Sequence, residues 1–164
     1  MTHEEIIAKL ELLPHPTEGG YFRRTYESDL KISIEGRSRK LLSSIYYLLT
    51  RESPQGYLHR NKSDIIHYYQ MGSPLLYVIV SPEGRIEEHV LGHDLAHGER
   101  LQLVVKGGDW KASRLCRGDY GLISEAVAPG FEYADNEIAT LASISSLFPG
   151  LVSRLEPYIK RQSV

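Results

Sequence analysis

The chain has 164 residues, of which 19 are basic and 21 acidic, giving a net charge of −2. This near balance provides no basic surface of the kind that binds DNA, RNA or an anionic membrane, and no apolar run approaches the roughly 20 residues that span a bilayer. The composition, 41% hydrophobic and 24% charged, is typical of a folded protein, and the length suits one domain over residues 1–164.

The N-terminal segment is predicted to be a short helix. Thr2 and Glu5 have the spacing of a capping box, apolar residues recur on one face after them, and Pro14 ends the pattern. Acidic residues stand where a secretory signal has basic ones, and the single cysteine, Cys116, excludes an internal disulfide. Both features predict a cytoplasmic protein.

The region from Gly19 to about Val127 is predicted to form many short strands. Eight stretches rich in β-branched or aromatic residues are separated by turn signals, and no helical stretch interrupts them. They are YFRRTYE, LLSSIYYLL, DIIHYYQ, LLYVIVS, RIEEHVL, RLQLVVK, WKASRLC and YGLISEAV. This spacing predicts an all-β antiparallel sandwich or barrel. The C-terminal segment, with Pro149 at a helix start and Pro157 as a break, is expected to pack on the outside.

Five stretches in this order resemble the cupin superfamily of small jelly-roll barrels, and specifically its uncharacterised family five, a domain of unknown function. They are HPTEGGYFRRTYES, SSIYYLL, HRNKSDIIHYYQMG, LGHDLAHGERLQLVVKGGDWKAS and LISEAVAPGFEY. The resemblance implies an RmlC-like cupin fold, a double-stranded β-helix with short N- and C-terminal helices and a barrel core over about residues 19–135. It also implies a ligand pocket in the barrel mouth and a homodimer.

Metal-binding cupins place a histidine, a second histidine two residues later and a glutamate on one strand, and a further histidine on a later strand. Here His59 matches the first ligand, whereas Asn61 and Ile65 stand at the next two places. Trp110 and Lys111 flank the place of the last ligand. Because most of the ligands are replaced, we expect no metal and no cofactor.

The remaining histidines carry weaker signals. His89, His93 and His97 recur every four residues, which suits a helical face but not a strand, and they are predicted to be solvated loop residues. His3 and His15 lie near the N-terminal helix without a partner signal.

An acid–base site is the second hypothesis for HRNKSDIIHYYQMG. In a straight strand His59 and His67 would share a face but lie roughly 26 Å apart, so they become neighbours only if the turn-like NKS sequence bends the chain. The resemblance pairs the S-x-I-I-H run with L-I-S-E on a later strand, which associates His67 with Glu125. A histidine oriented by a carboxylate can serve as a general base, and the alternative is a hydrogen-bonded pair that shapes a pocket without chemistry. The candidate catalytic residues are therefore His59, His67 and Glu125.

Ligand contacts are predicted from the same motifs. Arg23 is expected to face the pocket and hold an anionic group, while Arg24 points to the other face and is solvated. Further candidates for the pocket lining are Ser44, Tyr46, Gln102 and Trp110. A tryptophan beside a glutamine and a serine resembles sugar or nucleobase recognition, and a core position for the tryptophan is an equal alternative.

The preferred function is binding of a small polar or anionic metabolite, such as a sugar or nucleotide-sugar derivative, with isomerisation or epimerisation by proton transfer. Two alternatives remain open: a metal-dependent, dioxygenase-like cupin enzyme, and a non-catalytic ligand-binding or sensor module.

Overall fold

The structure, a computed structural model, describes residues 1–161. Its helices are α1 (His3–Leu10), α2 (Leu141–Leu147) and α3 (Val152–Leu155). Its strands are β1 (Leu13–Pro14), β2 (Tyr21–Glu27), β3 (Lys31–Ile34), β4 (Arg37–Lys40), β5 (Ser43–Thr50), β6 (Gln55–Asn61), β7 (Asp64–Gly72), β8 (Leu75–Val80), β9 (Ile86–Leu91), β10 (Gln102–Val105), β11 (Trp110–Leu115), β12 (Tyr120–Ala128) and β13 (Asn136–Ile138).

Two antiparallel sheets face each other. One has the strand order β1-β2-β5-β12-β7-β10 and the other β13-β6-β11-β8-β9, while β3 and β4 form a separate hairpin. The non-consecutive order means that most neighbours in each sheet are distant in sequence. The predicted all-β barrel is confirmed.

The space between the sheets is filled by alternate residues of both. These are Tyr47, Leu49, Leu75, Tyr77, Ile79, Leu91, Leu103, Val105, Leu115 and Ile123. Since side chains on a strand alternate between faces, polar residues in register with this set also point inward. They gather at one end of the barrel, where the apolar filling stops.

The terminal helices cover the outer faces of the two sheets. α1 begins at the predicted capping box of Thr2 and Glu5, and its Ile6 packs with Leu48 and Leu122 on the outside of the six-stranded sheet. The C-terminal helices pack on the five-stranded sheet, where Ile144 and Leu155 are fully buried. Within residues 1–161, no helix has both the length and the apolar character needed to cross a bilayer.

The eight predicted strands agree with those observed to within a few residues, and the described residues contain five more: β1, β3, β4, β6 and β13. The hairpin of β3 and β4 surrounds the predicted turn at Glu35 and Gly36. Strand β6 carries His59, and β13 pairs with it.

The stretch from 59 to 69 is not one strand: β6 ends at Asn61, β7 begins at Asp64, and the two strands belong to different sheets. The bend at NKS carries the chain from one sheet to the other.

Candidate functional site

A cavity opens at the polar end of the barrel. The cavity itself has a volume of about 30 Å³, and together with the open space at its mouth the volume is about 440 Å³. It is lined by His15, Glu18, Phe22, Arg24, Ile45, His59, Ile65, Lys111, Glu125, Val127, Phe131, Tyr133 and Asn136. Charged side chains form its floor and aromatic side chains stand near its mouth.

Strand pairing brings the floor residues together. Lys111 on β11 is the register partner of His59 on β6, and Glu125 on β12 is the partner of His67 on β7. Leu58, the neighbour of His59, packs against the C-terminal helices on the outer face, so strand alternation turns His59 inward.

The floor contains a buried network of Lys111, His67 and Glu125. His67 Nδ1 lies 3.1 Å from Glu125 Oε1, and Lys111 Nζ lies 3.1 Å from His67 Nε2 and 3.4 Å from Glu125 Oε1. All three residues are buried, and His67 has no exposed surface. The predicted contact between His67 and Glu125 is therefore present, with a lysine added to it.

The network has one consistent protonation pattern. Burial, and then the charge of Lys111, lower the pKa of His67 to about 4, so its imidazole is neutral at pH 7. Burial alone would raise the pKa of Glu125, but Lys111 and His67 hold it well below its usual range. We therefore assign the His67 hydrogen to Nδ1, which donates to Glu125, and Nε2 then accepts from Lys111.

A second group, formed by His15, Glu18 and His59, lies beside Lys111. Glu18 Oε2 is 3.4 Å from His59 Nε2 and 3.6 Å from His15 Nε2. His59 Nδ1 donates to the carbonyl oxygen of Tyr57 at 2.6 Å. Burial, and then the charge of Lys111, lower the pKa of His59 to about 3. Burial raises the pKa of Glu18 and lowers that of His15.

Backbone contacts fix Glu18 at this place. Its carbonyl oxygen accepts from the amide of Tyr57 at 2.7 Å, and the hydroxyl of Tyr47 donates to the carbonyl of Gly19 at 3.0 Å. Gly19 has a φ of +83°, and a Cβ there would collide with the carbonyl oxygen of Gln55. Glycine is therefore required directly after Glu18, because the loop presses against β6.

Arg24 and three aromatic side chains stand nearer the mouth. Arg24 donates to Glu27 at 2.7 Å and to the carbonyl of Phe131 at 3.4 Å. Phe131 packs edge-on against Tyr133, with ring centroids 5.1 Å apart, and Phe22 stacks at a tilt on His15. The mouth thus offers a guanidinium and aromatic surfaces to a ligand.

The loop that carries Phe131 and Tyr133 is anchored by ion pairs. Arg39 of β4 is buried and its Nη1 lies 2.5 Å from Oδ2 of the buried Asp135. Arg37 contacts the same carboxylate at 3.2 Å and Glu132 at 2.6 Å. The hairpin of β3 and β4 therefore holds one wall of the mouth in place.

The predicted orientation of Arg23 and Arg24 is wrong. Phe22, not Arg23, packs against the interior cluster, so alternation places Arg24 on the cavity side. Arg23 points outward, where it donates to the carbonyl of Leu10 at 3.1 Å and to Glu11 at 2.8 Å. The aromatic residue, with more apolar surface to bury, decided which face points inward.

Three other predicted lining residues lie outside the cavity. The Ser44 hydroxyl donates to the backbone carbonyl of Glu125 at 2.8 Å, and the Tyr46 side chain packs with the cluster beneath α1. Gln102 is exposed, because its neighbours Leu103 and Val105 take the inward positions of β10.

Trp110 is the fifth predicted ligand contact that does not line the cavity. It is fully buried between the five-stranded sheet and the C-terminal helices, packed with Leu58 and Val80. Lys111 faces the cavity, so its neighbour on the strand must face away. The stacking role is thus wrong and the alternative core position is confirmed.

Among the charged and histidine side chains of the cavity, sequence reasoning missed four: His15, Glu18, Arg24 and Lys111. Lys111 was noted only for replacing a metal ligand. Glu18 and His15 belong to the HPTEGG stretch, where two consecutive glycines after a glutamate indicate a close backbone approach. This pair of glycines indicates a tightly packed loop but does not identify the residues that the loop contacts.

The residues present do not fit the ligand set that metal-binding cupins use. Within residues 1–161, no three His, Cys, Asp or Glu side chains are arranged to hold a metal ion. Lys111 also donates to Nε2 of His67, the imidazole nitrogen that would otherwise be free to coordinate. The positive charge among these residues is therefore the ammonium group of Lys111.

Comparison with known proteins gives the family and the fold. The family model described as Cupin superfamily (DUF985) matches residues 4–139. The uncharacterized protein YML079W of Saccharomyces cerevisiae is 39% identical over 148 residues, which cover 81% of this chain and 73% of that protein.

Solved structures agree with this relationship. A hypothetical protein from Leishmania major has a TM-score of 0.91 at 32% identity, covering 98% of this chain and 100% of its own. Protein SO0799 from Shewanella oneidensis has a TM-score of 0.89 at 30% identity, covering 99% of both chains. Oxalate decarboxylase from Bacillus subtilis, at 15% identity and a TM-score of 0.56, shares the fold alone over 93% of this chain and 38% of its own. The predicted jelly roll with short terminal helices is confirmed.

Proposed function

The chain belongs to the Cupin superfamily (DUF985), and we propose that it binds a small anionic, sugar-like metabolite in its barrel and isomerises or epimerises it by proton transfer. The observation that carries this proposal is the position of Lys111. Its ammonium group lies on the cavity floor, held by His67 and Glu125, and His59, the register partner of Lys111, lies beside it with Glu18.

The charges of the lining favour an anionic ligand. Glu125 compensates much of the charge of Lys111. The ammonium group of Lys111 nevertheless has three hydrogens, and the network uses only two of them, toward His67 and Glu125. One N–H remains for a ligand oxygen. Arg24 offers a second cationic contact nearer the mouth, at a planar group suited to carboxylate or phosphate.

The aromatic rings favour a sugar-like shape. Phe22, Phe131 and Tyr133 present apolar surface at the mouth, and the side-chain amide of Asn136 lines the same cavity. Apolar rings with a few placed polar groups are typical of small-molecule pockets. Arg24 and these rings thus replace Arg23 and Trp110 in the predicted recognition of the ligand.

His59 is the residue assigned to proton transfer. Its Nδ1–H is held by Tyr57, which leaves Nε2 as a base on the cavity side. His67 is sealed behind Lys111, so it is a positioning residue for the ammonium group, and Glu125 orients His67. In the reaction, Nε2 takes a proton from a carbon beside a carbonyl group, Lys111 stabilises the negative charge on oxygen, and return of the proton completes the change.

The test begins with a thermal-shift screen of sugar acids, sugar phosphates and nucleotide sugars, since a ligand that binds the folded state raises the melting temperature. Compounds that bind are then incubated in D2O, and deuterium incorporation at carbon is followed by NMR. We expect exchange that is lost in His59→Gln. Exchange at the wild-type rate in that variant would remove His59 from the mechanism.

Arg23 and Arg24 provide a matched pair of control variants. Arg24→Gln is expected to weaken binding of the anionic ligand about tenfold, the loss of one charged hydrogen bond. Arg23→Gln, an equal change in net charge on the outer face, is expected to leave the affinity unchanged. Equal effects of the two substitutions on affinity would show that the cavity does not recognise the charge of the ligand.

A non-catalytic binding module remains the second candidate function. Its support is that most polar groups of the floor already have partners within the chain, as in a preformed receptor site. A ligand that stabilises the fold but exchanges no proton in D2O would decide for this function. The homodimer and the cytoplasmic setting stay predictions, to be tested by light scattering and by fractionation.

A further inference from the structure

The carboxyl group of Glu18 has an arrangement that ordinary ion pairing does not explain. Its Oε2 faces Nε2 of His59 at 3.4 Å. The other ring nitrogen of His59 donates to the carbonyl of Tyr57 at 2.6 Å, a contact that requires the hydrogen to be on Nδ1. In a neutral imidazole Nε2 is then a bare acceptor. Two bare acceptors repel each other, and a proton carried on Oε2 toward Nε2 would remove that repulsion.

The second oxygen of Glu18 fits a carboxylic acid. Oε1 accepts from the Nδ2 group of Asn136 at 2.9 Å, as a carbonyl oxygen does. His15 Nδ1 accepts from the backbone amides of Thr17 and Glu18, so its hydrogen lies on Nε2 and points toward Glu18 Oε2 at 3.6 Å. His15 therefore presents a hydrogen to Oε2, whereas His59 presents an acceptor to the same oxygen.

The surrounding charges decide where the proton lies. The charged and titratable groups that face Glu18 and His59 are His15, Lys111 and Glu125, together with the neutral His67 near His59 and Tyr47 near Glu18. Lys111, the register partner of His59, disfavours an imidazolium beside it. Both residues are buried, which disfavours a separated carboxylate and imidazolium. A neutral acid and a neutral imidazole place no net charge at this point.

We infer that Glu18 carries a proton on the oxygen that faces His59, so that it is a carboxylic acid at neutral pH and the general acid of the site. The role in catalysis rests on the proposed function, whereas the protonation state does not. During the reaction His59 Nε2 takes the proton from carbon while Glu18 gives its own proton to the carbonyl oxygen. The pair becomes an imidazolium and a carboxylate, the substrate becomes an enediol, and the reverse transfers restore both, so no oxidant or co-reactant is needed.

Infrared spectroscopy of the ligand-free protein tests the protonation state. Protein carrying carbon-13 in its glutamate carboxyl groups is expected to show an isotope-shifted carboxylic-acid carbonyl band at pH 7. Glu18→Gln, which keeps the shape and the contact with Asn136, should remove that band. Glu132→Gln, a control at a half-exposed carboxylate beside Arg37, should retain it. Absence of the band in the wild type, or its survival in Glu18→Gln, would overturn the inference.

Nitrogen NMR of His59 supplies a measurement that needs no variant at Glu18. We expect one protonated and one unprotonated ring nitrogen at pH 7, and two protonated nitrogens would place the proton on the imidazole and contradict the assignment. When a substrate from the screen is in hand, Glu18→Gln should lower turnover at least a hundredfold and leave affinity within a few-fold. Retained turnover would remove Glu18 as the acid, whereas a screen without turnover would refute the proposed function alone.

Discussion

The buried His67 makes the stability of this protein sensitive to mild acid. Its pKa is about 4 in the folded protein against 6.5 for an exposed imidazole. Between these values the unfolded chain binds a proton that the folded chain does not, so the free energy of unfolding decreases as the pH falls below 6.5. The slope for one such group is about 1.4 kcal/mol per pH unit, or about 2 kcal/mol between pH 6.5 and pH 5.

A variant isolates this contribution. His67→Gln keeps a donor toward Glu125 and an acceptor toward Lys111 but cannot bind a proton, so its stability should fall less steeply over the same interval, by about 2 kcal/mol in all. The comparison with wild type is needed because other groups also titrate. Glu18, whose pKa is raised, contributes stability that is greatest at low pH and is lost as the pH rises.

The assay is urea unfolding at half-unit steps from pH 7 to pH 5, followed by fluorescence of the single, fully buried Trp110. His97→Gln is the control, since that side chain is 82% exposed and should leave the slope as in wild type. Equal slopes in wild type and His67→Gln would show that His67 is not held neutral by burial and Lys111.

Three further outcomes follow from the packing. Trp110→Leu should lower the free energy of unfolding by about 3 kcal/mol yet leave ligand affinity unchanged, because the ring packs beneath the C-terminal helices; urea unfolding and calorimetric titration check both parts. Lys111→Met leaves the carboxylate of Glu125 buried without its cation, and should cost about 3 kcal/mol and abolish the ligand's thermal shift at pH 7. Asp135→Asn leaves Arg39 buried without its closest anion, so the free energy of unfolding should fall by about 3 kcal/mol. Amide hydrogen exchange over residues 129–135 should become faster, and exchange as slow as in wild type would contradict the anchoring role.

Local patterns in the sequence were sufficient to predict most of the elements, though not all of them. The capping box of Thr2 and Glu5, the turn pairs and the runs of β-branched residues each depend on neighbours a few positions away. The strand β6 was missed because Gln55, Gly56 and Arg60 make it poor in strand-forming residues, and its pairing with β11 and β13 compensates for this.

The orientation of side chains was less predictable. A period of two gives two possible faces, and an error of one residue exchanges them, as happened for Arg23 and Arg24. Trp110 was ambiguous for the same reason. In both cases the orientation depended on apolar surface from distant parts of the chain. Phe22 packs in the barrel interior, and Trp110 packs against the C-terminal helices.

The sequence by itself determined the jelly-roll class, the terminal helices and the association of His67 with Glu125, because each is written in periodicity or in a family motif. Only the tertiary structure brought Lys111 and the loop with Glu18 to those residues. Lys111 is 44 positions from His67 and Glu18 is 41 from His59, and separations of this size are closed by strand order in two sheets, which no local pattern encodes. The stretch at 59–72 was therefore visible from the start as a candidate site, while its chemistry arose from partners supplied by other strands.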